Sequence, residues 1–184
     1  MRRNDLLCWM DLEMTSVEDA TEDQIIEIAV LLTDQNLQVV AEGPSLVVHA
    51  DDALFANIPE SARELHERTG LREAVRASAT TLAQAEKEVL AFLTEQVEPK
   101  SAPLCGNSIH VDRHFLSIQM PRVETFLFYR CIDVSTVKEL ARRWAPAVYE
   151  EARARKGESA HRARDDIGAS IAELAFYRGA FFSR

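Results

Sequence analysis

The chain opens on an apolar run, Leu6-Leu7-Cys8-Trp9-Met10, that ends abruptly in Asp11-Leu12-Glu13. A short continuous run of this kind reads as a buried strand. A second strand is predicted over Ile25–Leu32 and a third over Leu37–Val48. Asp34-Gln35-Asn36 between them is turn chemistry, which makes the pair a hairpin. The pattern then shifts to helical spacing. A helix is predicted over Ile58–Arg68, ended by Gly70. Another starts at a capping box of Thr81 and Gln84 and carries Leu82, Ala85, Val89, Phe92 and Leu93 up to Pro99. Leu104-Cys105-Gly106-Asn107 reads as a short strand running into a loop, Val111–Gln119 as a helix stopped by Pro121, and Cys131–Val134 as another short strand. Thr136 and Glu139 can cap a helix whose apolar face is Val137, Leu140, Ala141 and Trp144. The charged stretch from Glu150 to Ser159 reads as a loop or frayed segment. The last helix, about Asp165 to Phe181, carries Ile167, Ile171, Leu174 and Ala175 on one stripe. Leading strands followed by helices and short strands predict an α/β domain with a mixed sheet.

Length and charge narrow the picture. At 184 residues, with 47% hydrophobic and 28% charged positions, one globular domain over 1–184 is expected. No apolar run approaches membrane-spanning length, so no membrane association is expected. Thirty acidic against 21 basic residues give a net charge of −9, which argues against gripping long nucleic acid through many phosphates. A short nucleotide at a metal site stays open, because there the ions supply the positive field. Cys8, Cys105 and Cys131 are odd in number and widely spaced, and read as reduced, buried thiols of a cytosolic protein.

Side chains two apart on a strand share a face, so Asp11 and Glu13 project together from a hydrophobic element. Two like charges held close repel and resist desolvation, a balance that a divalent cation reverses. Two more acidic sites stand at element ends: Asp112, past Gly106-Asn107-Ser108-Ile109, and Asp165-Asp166, after His161-Arg162-Ala163-Arg164. Phosphodiester hydrolysis with two ions about 3.5–4 Å apart needs such a set. Magnesium and manganese take oxygen ligands, and a histidine with its pKa near neutrality can accept a proton from water. Five residues are about 500° of helical rotation, so His161 and Asp166 do not share a helix face. His161 is predicted on the loop before the last helix, and Asp166 in its first turn. Singly, each residue has a plainer reading. Asp11 and Glu13 fit a solvated strand end, Asp112 an N-cap, His161 a surface position and Tyr129 a packing position. The run His110-Val111-Asp112-Arg113-His114 also admits a separate zinc or manganese site.

Together, Asp11-Leu12-Glu13-Met14-Thr15, Gly106-Asn107-Ser108-Ile109 with Asp112-Arg113, and His161 with Asp166 resemble the three exonuclease motifs of the DEDD superfamily, in its histidine-containing branch. Asp133–Trp144 and Ser170–Arg178 resemble segments of the oligoribonuclease family, and the likeness runs from Leu6 to Tyr177. The resemblance implies a ribonuclease H-like mixed sheet flanked by helices, a homodimer, and a 3′-to-5′ exoribonuclease. Its substrates would be very short RNAs, dinucleotides above all, released as nucleoside 5′-monophosphates. It implies that Asp11, Glu13, Asp112 and Asp166 hold two Mg2+ or Mn2+ ions, with His161 as general base. Tyr129 and Arg130 would reach over the partner subunit's substrate. His66 would lie near the substrate, Ser108 and Ser135 would bind its terminal phosphate, and residue 17 would wedge between the bases. There the family pattern has Gly-Leu where this chain has Ser16-Val17, a shorter wedge. The rival readings are another exonuclease of the superfamily, acting on longer RNA or DNA ends, and a dinucleotide-binding module without turnover.

Overall fold

A computed structural model describes residues 2–56, 58–155 and 162–182. Five strands, β1 (Leu7–Met14), β2 (Ile25–Thr33), β3 (Val39–Val47), β4 (Pro103–Gly106) and β5 (Phe128–Asp133), form one sheet in the order β3-β2-β1-β4-β5. β1, β2 and β3 pair antiparallel, whereas β4 lies parallel to β1, and β5 parallel to β4. This is the mixed, helix-flanked sheet that the sequence predicts. The helices are α1 (Glu60–Arg68), α2 (Leu71–Ala77), α3 (Leu82–Gln96), α4 (Ile109–Gln119), α5 (Pro121–Phe126), α6 (Val134–Trp144), α7 (Pro146–Arg155) and α8 (Ala163–Phe181). None of the described helices is long and apolar enough to cross a membrane.

The period-2 geometry of β1 sorts its side chains between two cores. Cys8, Met10, Leu12 and Met14 pack with Val89 and Leu93 of α3, Phe115 and Leu116 of α4 and Val123 of α5. Trp9 and Leu7 face the other way, against Ala163, Ile167, Ile171 and Leu174 of α8. Each large apolar side chain buried this way contributes about 1.5–3 kcal/mol, so the facing of β1 is firmly set. Asp11 and Glu13 share the face of Leu7 and Trp9, and therefore look toward α8.

Several boundaries differ from the sequence reading. β1 continues through Met14, so Asp11 and Glu13 lie within a paired strand, opposite Ala29 and Glu27, and not beyond its end. α2 shows no period in the sequence, since it has seven residues and only two buried apolar positions, Leu71 and Val75. Gly70, at φ 68°, ends α1 in the left-handed region and leads straight into it. Pro121 stops α4 but also starts α5, as its first residue. The charged stretch from Glu150 to Ser159, read as a loop or frayed segment, is helical up to Arg155 as the end of α7, which buries no residue; the rest of it lies outside the described residues. Its charges pair one turn apart, Arg153 with Glu150 at 3.1 Å and Arg155 with Glu151 at 2.6 Å, and such pairs support a solvated helix. Asp133, not Thr136, caps α6: its carboxylate accepts from the Ser135 amide at 3.0 Å. Trp144, placed on the apolar face of α6, is 77% exposed, and Ala175 of α8 is exposed as well. Cys8 and Cys105 are buried free thiols, but Cys131 is exposed, because it lies on the edge strand β5.

Candidate active site

The acidic site is assembled where β1, β2 and the start of α8 meet. One ligand oxygen each from Asp11, Glu13 and Asp166 lies within 4.8 Å of the others. Asp166 occupies the first turn of α8, its amide bonded to the Arg162 carbonyl at 3.1 Å. The helix cap is Arg162, so neither Asp165 nor Asp166 serves as the N-cap.

Asp112 joins from the opposite layer. It is not an N-cap either: Ser108 holds that position, and Asp112 lies in the first turn of α4, 7% exposed. β4 pairs with β1 only at Cys8 and Trp9. Further along β1, the Leu12 amide donates instead to Asp112 Oδ1 at 2.9 Å. Asp112 is thereby pinned to the backbone between Asp11 and Glu13, although its oxygens are not part of the set of three. Gly106 permits the approach of the two elements, since a Cβ there would stand 3.0 Å from the Met10 carbonyl oxygen and 2.8 Å from Ile109 Cδ1.

Asp11, Glu13 and Asp112 hold their protons unusually tightly. Burial, then the charges of Asp112, Glu13 and Asp166, push Asp11 up to about 9. Burial and Asp166 push Glu13 up to about 7. Burial raises Asp112 to about 7 even though the Leu12 amide opposes it. Hard oxygen donors that resist ionising together are a set that a divalent cation fits and stabilises.

A residue that sequence reasoning missed organises this centre. Glu27 of β2, the register partner of Glu13, is only 3% exposed. Arg162 clasps its carboxylate from Nη2 at 2.7 Å and Nε at 3.1 Å, and the Ala163 amide donates at 3.3 Å. The pair fastens the first residues of α8 to β2, three to four positions before Asp166. The available signal was an acid in the middle of an otherwise apolar strand, Ile25-Ile26-Glu27-Ile28. Arg164, two positions before Asp166, ion-pairs with Glu42 of β3.

The remaining predicted site residues divide into groups. Val17 is 65% exposed on the loop after β1. Gln119 of α4 clamps that loop, donating to the carbonyls of Ala20 at 2.9 Å and Asp23 at 2.6 Å and accepting from the Ile25 amide at 3.0 Å. His66 is 2% exposed and its Nε2 donates to the Thr15 carbonyl at 3.1 Å, at the root of the same loop. Ser108 and Ser135 touch, with the Ser108 amide donating to Ser135 Oγ at 2.9 Å. Tyr129 and Arg130 are on β5, separated from β1 by β4. Pro103 pairs with Phe128 and Leu104 with Cys131, so Tyr129 and Arg130 form a bulge. Tyr129 is 69% exposed, and the Arg130 guanidinium lies 5.3 Å from its ring. His161 lies outside the described residues. The His110–His114 run gathers no metal cluster among the described residues; His110 is 76% exposed and stands 3.8 Å from Asp133.

Comparisons with known proteins agree with this geometry. The exonuclease family model RNase_T matches residues 8–174. The oligoribonuclease of Halorhodospira halophila is 52% identical over 175 residues, covering 95% of this chain and 93% of that protein. The mouse protein named mitochondrial oligoribonuclease is 48% identical over 178 residues, covering 97% of this chain and 74% of its own length. Among solved structures, E. coli exonuclease I in complex with a 5cy-dT13 oligonucleotide superposes with a TM-score of 0.67 at 16% identity. That match covers 97% of this chain but 41% of the other, and shows a shared fold alone. The chain belongs to the exonuclease family and, within it, to the oligoribonucleases.

Proposed function

We propose that this chain is a 3′-to-5′ exoribonuclease that hydrolyses very short RNAs, above all dinucleotides, to nucleoside 5′-monophosphates. The observation that carries the reading is the convergence of Asp11, Glu13 and Asp166 beside the pinned Asp112. In this reading the four carboxylates hold two Mg2+ or Mn2+ ions. When bound, the ions supply Lewis-acid stabilisation of charge on the phosphodiester. His161 takes the proton of the attacking water. Val17 stacks against the bases, with Gln119 and His66 fixing the loop that carries it. Ser108 and Ser135 receive the terminal phosphate, which limits substrate length. The whole works as a single exonuclease domain in the cytoplasm.

A test is turnover over RNA lengths from two to seven nucleotides in Mn2+. The expected profile falls steeply beyond two. Equal rates at all lengths would instead favour an exonuclease for longer ends, and an absence of mononucleotide product would favour a binding module.

The homodimer is part of the proposal. Tyr129 and Arg130 sit exposed on a bulge at the open sheet edge, two strands from Asp11 and Glu13 of their own chain. That placement suits residues that serve a neighbouring site, and the exposed Trp144 suits an interface. Mixing Tyr129→Ala with Asp11→Ala subunits is then expected to restore up to about a quarter of the dimers' activity, through heterodimers with one intact site. No recovery in verified heterodimers would overturn partner-supplied chemistry.

A further inference from the structure

We propose that Asn107, held in one orientation by Lys138 and Glu173, directs the Ser135 proton inward and leaves the Ser108 hydroxyl as the donor to a substrate's terminal phosphate. The proposal rests on the reading that Ser108 and Ser135 meet that phosphate. It divides their roles: Ser108 contacts, Ser135 and Asn107 position.

The argument is a hydrogen-bond count. Asn107 Oδ1 accepts from Lys138 Nζ at 3.2 Å and from Ser135 Oγ at 3.0 Å. Its Nδ2 donates to Ser170 Oγ at 2.9 Å and to Glu173 Oε2 at 3.4 Å. An ammonium only donates and a carboxylate only accepts, so the amide cannot be turned over. The Ser135 hydroxyl has one proton, and the bond to Asn107 Oδ1 takes it. Its lone pairs then accept from the Ser108 amide at 2.9 Å and face Ser108 Oγ at 3.2 Å. An anion approaching Ser135 meets an acceptor, whereas one approaching Ser108 meets a hydroxyl whose proton, otherwise donated to Ser135 Oγ, can turn toward it. Ser108 itself is held at φ 50°, ψ 33°, the left-handed region that a non-glycine residue enters only when its surroundings impose it. The bond from its amide to Ser135 is one such restraint. Lys138 and Glu173 form an ion pair at 3.1 Å, with side chains 26% and 13% exposed, which locks α6 to α8 around the amide.

The test compares a 5′-phosphorylated diribonucleotide with its 5′-hydroxyl counterpart. In Lys138→Met, KM for the phosphorylated substrate is expected to rise about tenfold, the scale of one lost hydrogen bond to a charged group. The KM of the hydroxyl substrate and both kcat values are expected to stay within about twofold. Lys138→Arg is expected to retain most of the preference. Glu173→Gln is expected to raise the same KM; a fall would mean that a freed Lys138 meets the phosphate directly, and would overturn the proposal. Ser108→Ala is expected to erase more of the preference than Ser135→Ala, and the reverse order also overturns it. Should Lys138→Met fail to fold, the Glu173→Gln and serine comparisons decide alone. Wild-type protein indifferent to the 5′-phosphate would sink the underlying reading. A wild-type preference that survives intact in Lys138→Met would sink this inference only.

Discussion

Asp11→Asn will abolish hydrolysis and, at pH 8 in a chelator, raise the melting temperature of the protein. Both outcomes come from one carboxyl group. In the metal-free fold, burial and the neighbouring acids hold Asp11 protonated up to about pH 9, against an ordinary value of 3.8. Its contribution to stability is therefore complete below about pH 4. It declines as the pH rises, because the unfolded chain releases a proton that the fold retains, and it is gone above about pH 9. Glu13 and Asp112 impose the same decline up to about pH 7. An amide at position 11 never has to ionise, so the variant escapes the largest part of that loss. For a protein of this size each kcal/mol recovered shifts the melting temperature by about 2–4 °C. Activity should fall by at least about 10²–10³-fold, the effect of deleting one preorganised electrostatic group from a reacting centre. Divalent metal should reverse the ranking, stabilising wild type more than the variant, and more at pH 8 than at pH 5. A variant that melts below wild type in the chelator at pH 8 would contradict the account of Asp11.

How much of this was readable beforehand follows from the distance over which each feature is determined. The facing of Asp11 and Glu13 required only the two-residue period of β1, and that held. The stripe of Ile167, Ile171 and Leu174 likewise gave the buried side of α8. Asp112 looked like a helix cap because its sequence neighbourhood is a helix start. Its actual partner, the Leu12 amide, is 100 positions away, and is open to it because β4 pairs with β1 no further than Trp9. The end of α7 from Glu150 reads as a loop in the sequence because its support is charge pairing, not an apolar stripe. His66, near the substrate by family likeness, is buried with its Nε2 on the carbonyl of Thr15, a contact that local sequence does not signal. Partnerships across the sheet and between layers were illegible for the same reason: each depends on where two distant elements come to rest.

The Glu27–Arg162 clasp is the clearest such partnership, and breaking it separates stability from positioning. Arg162→Met leaves the Glu27 carboxylate, 3% exposed, beside Glu13 with no cation to balance it. Removing one partner of a buried pair costs about 3–5 kcal/mol. The Arg162 side chain is 38% exposed, so solvent screening reduces this to about 2–3 kcal/mol. The expected drop in melting temperature is about 5–10 °C at 2–4 °C per kcal/mol. In the double variant Glu27→Leu, Arg162→Met, no unpaired charge remains, and an apolar pair of similar volume is often no less stable than the ion pair it replaces. Most of the lost stability should return. Activity should not, because the clasp is also what fastens the first turn of α8 to β2 and sets Asp166 against Asp11 and Glu13. Supporting contacts of this kind are worth about 10–100-fold in metal affinity or turnover. Metal titration followed by melting temperature, alongside kcat on a dinucleotide, separates the two effects. A double variant that recovers stability and full turnover together would show that the pair serves the fold alone.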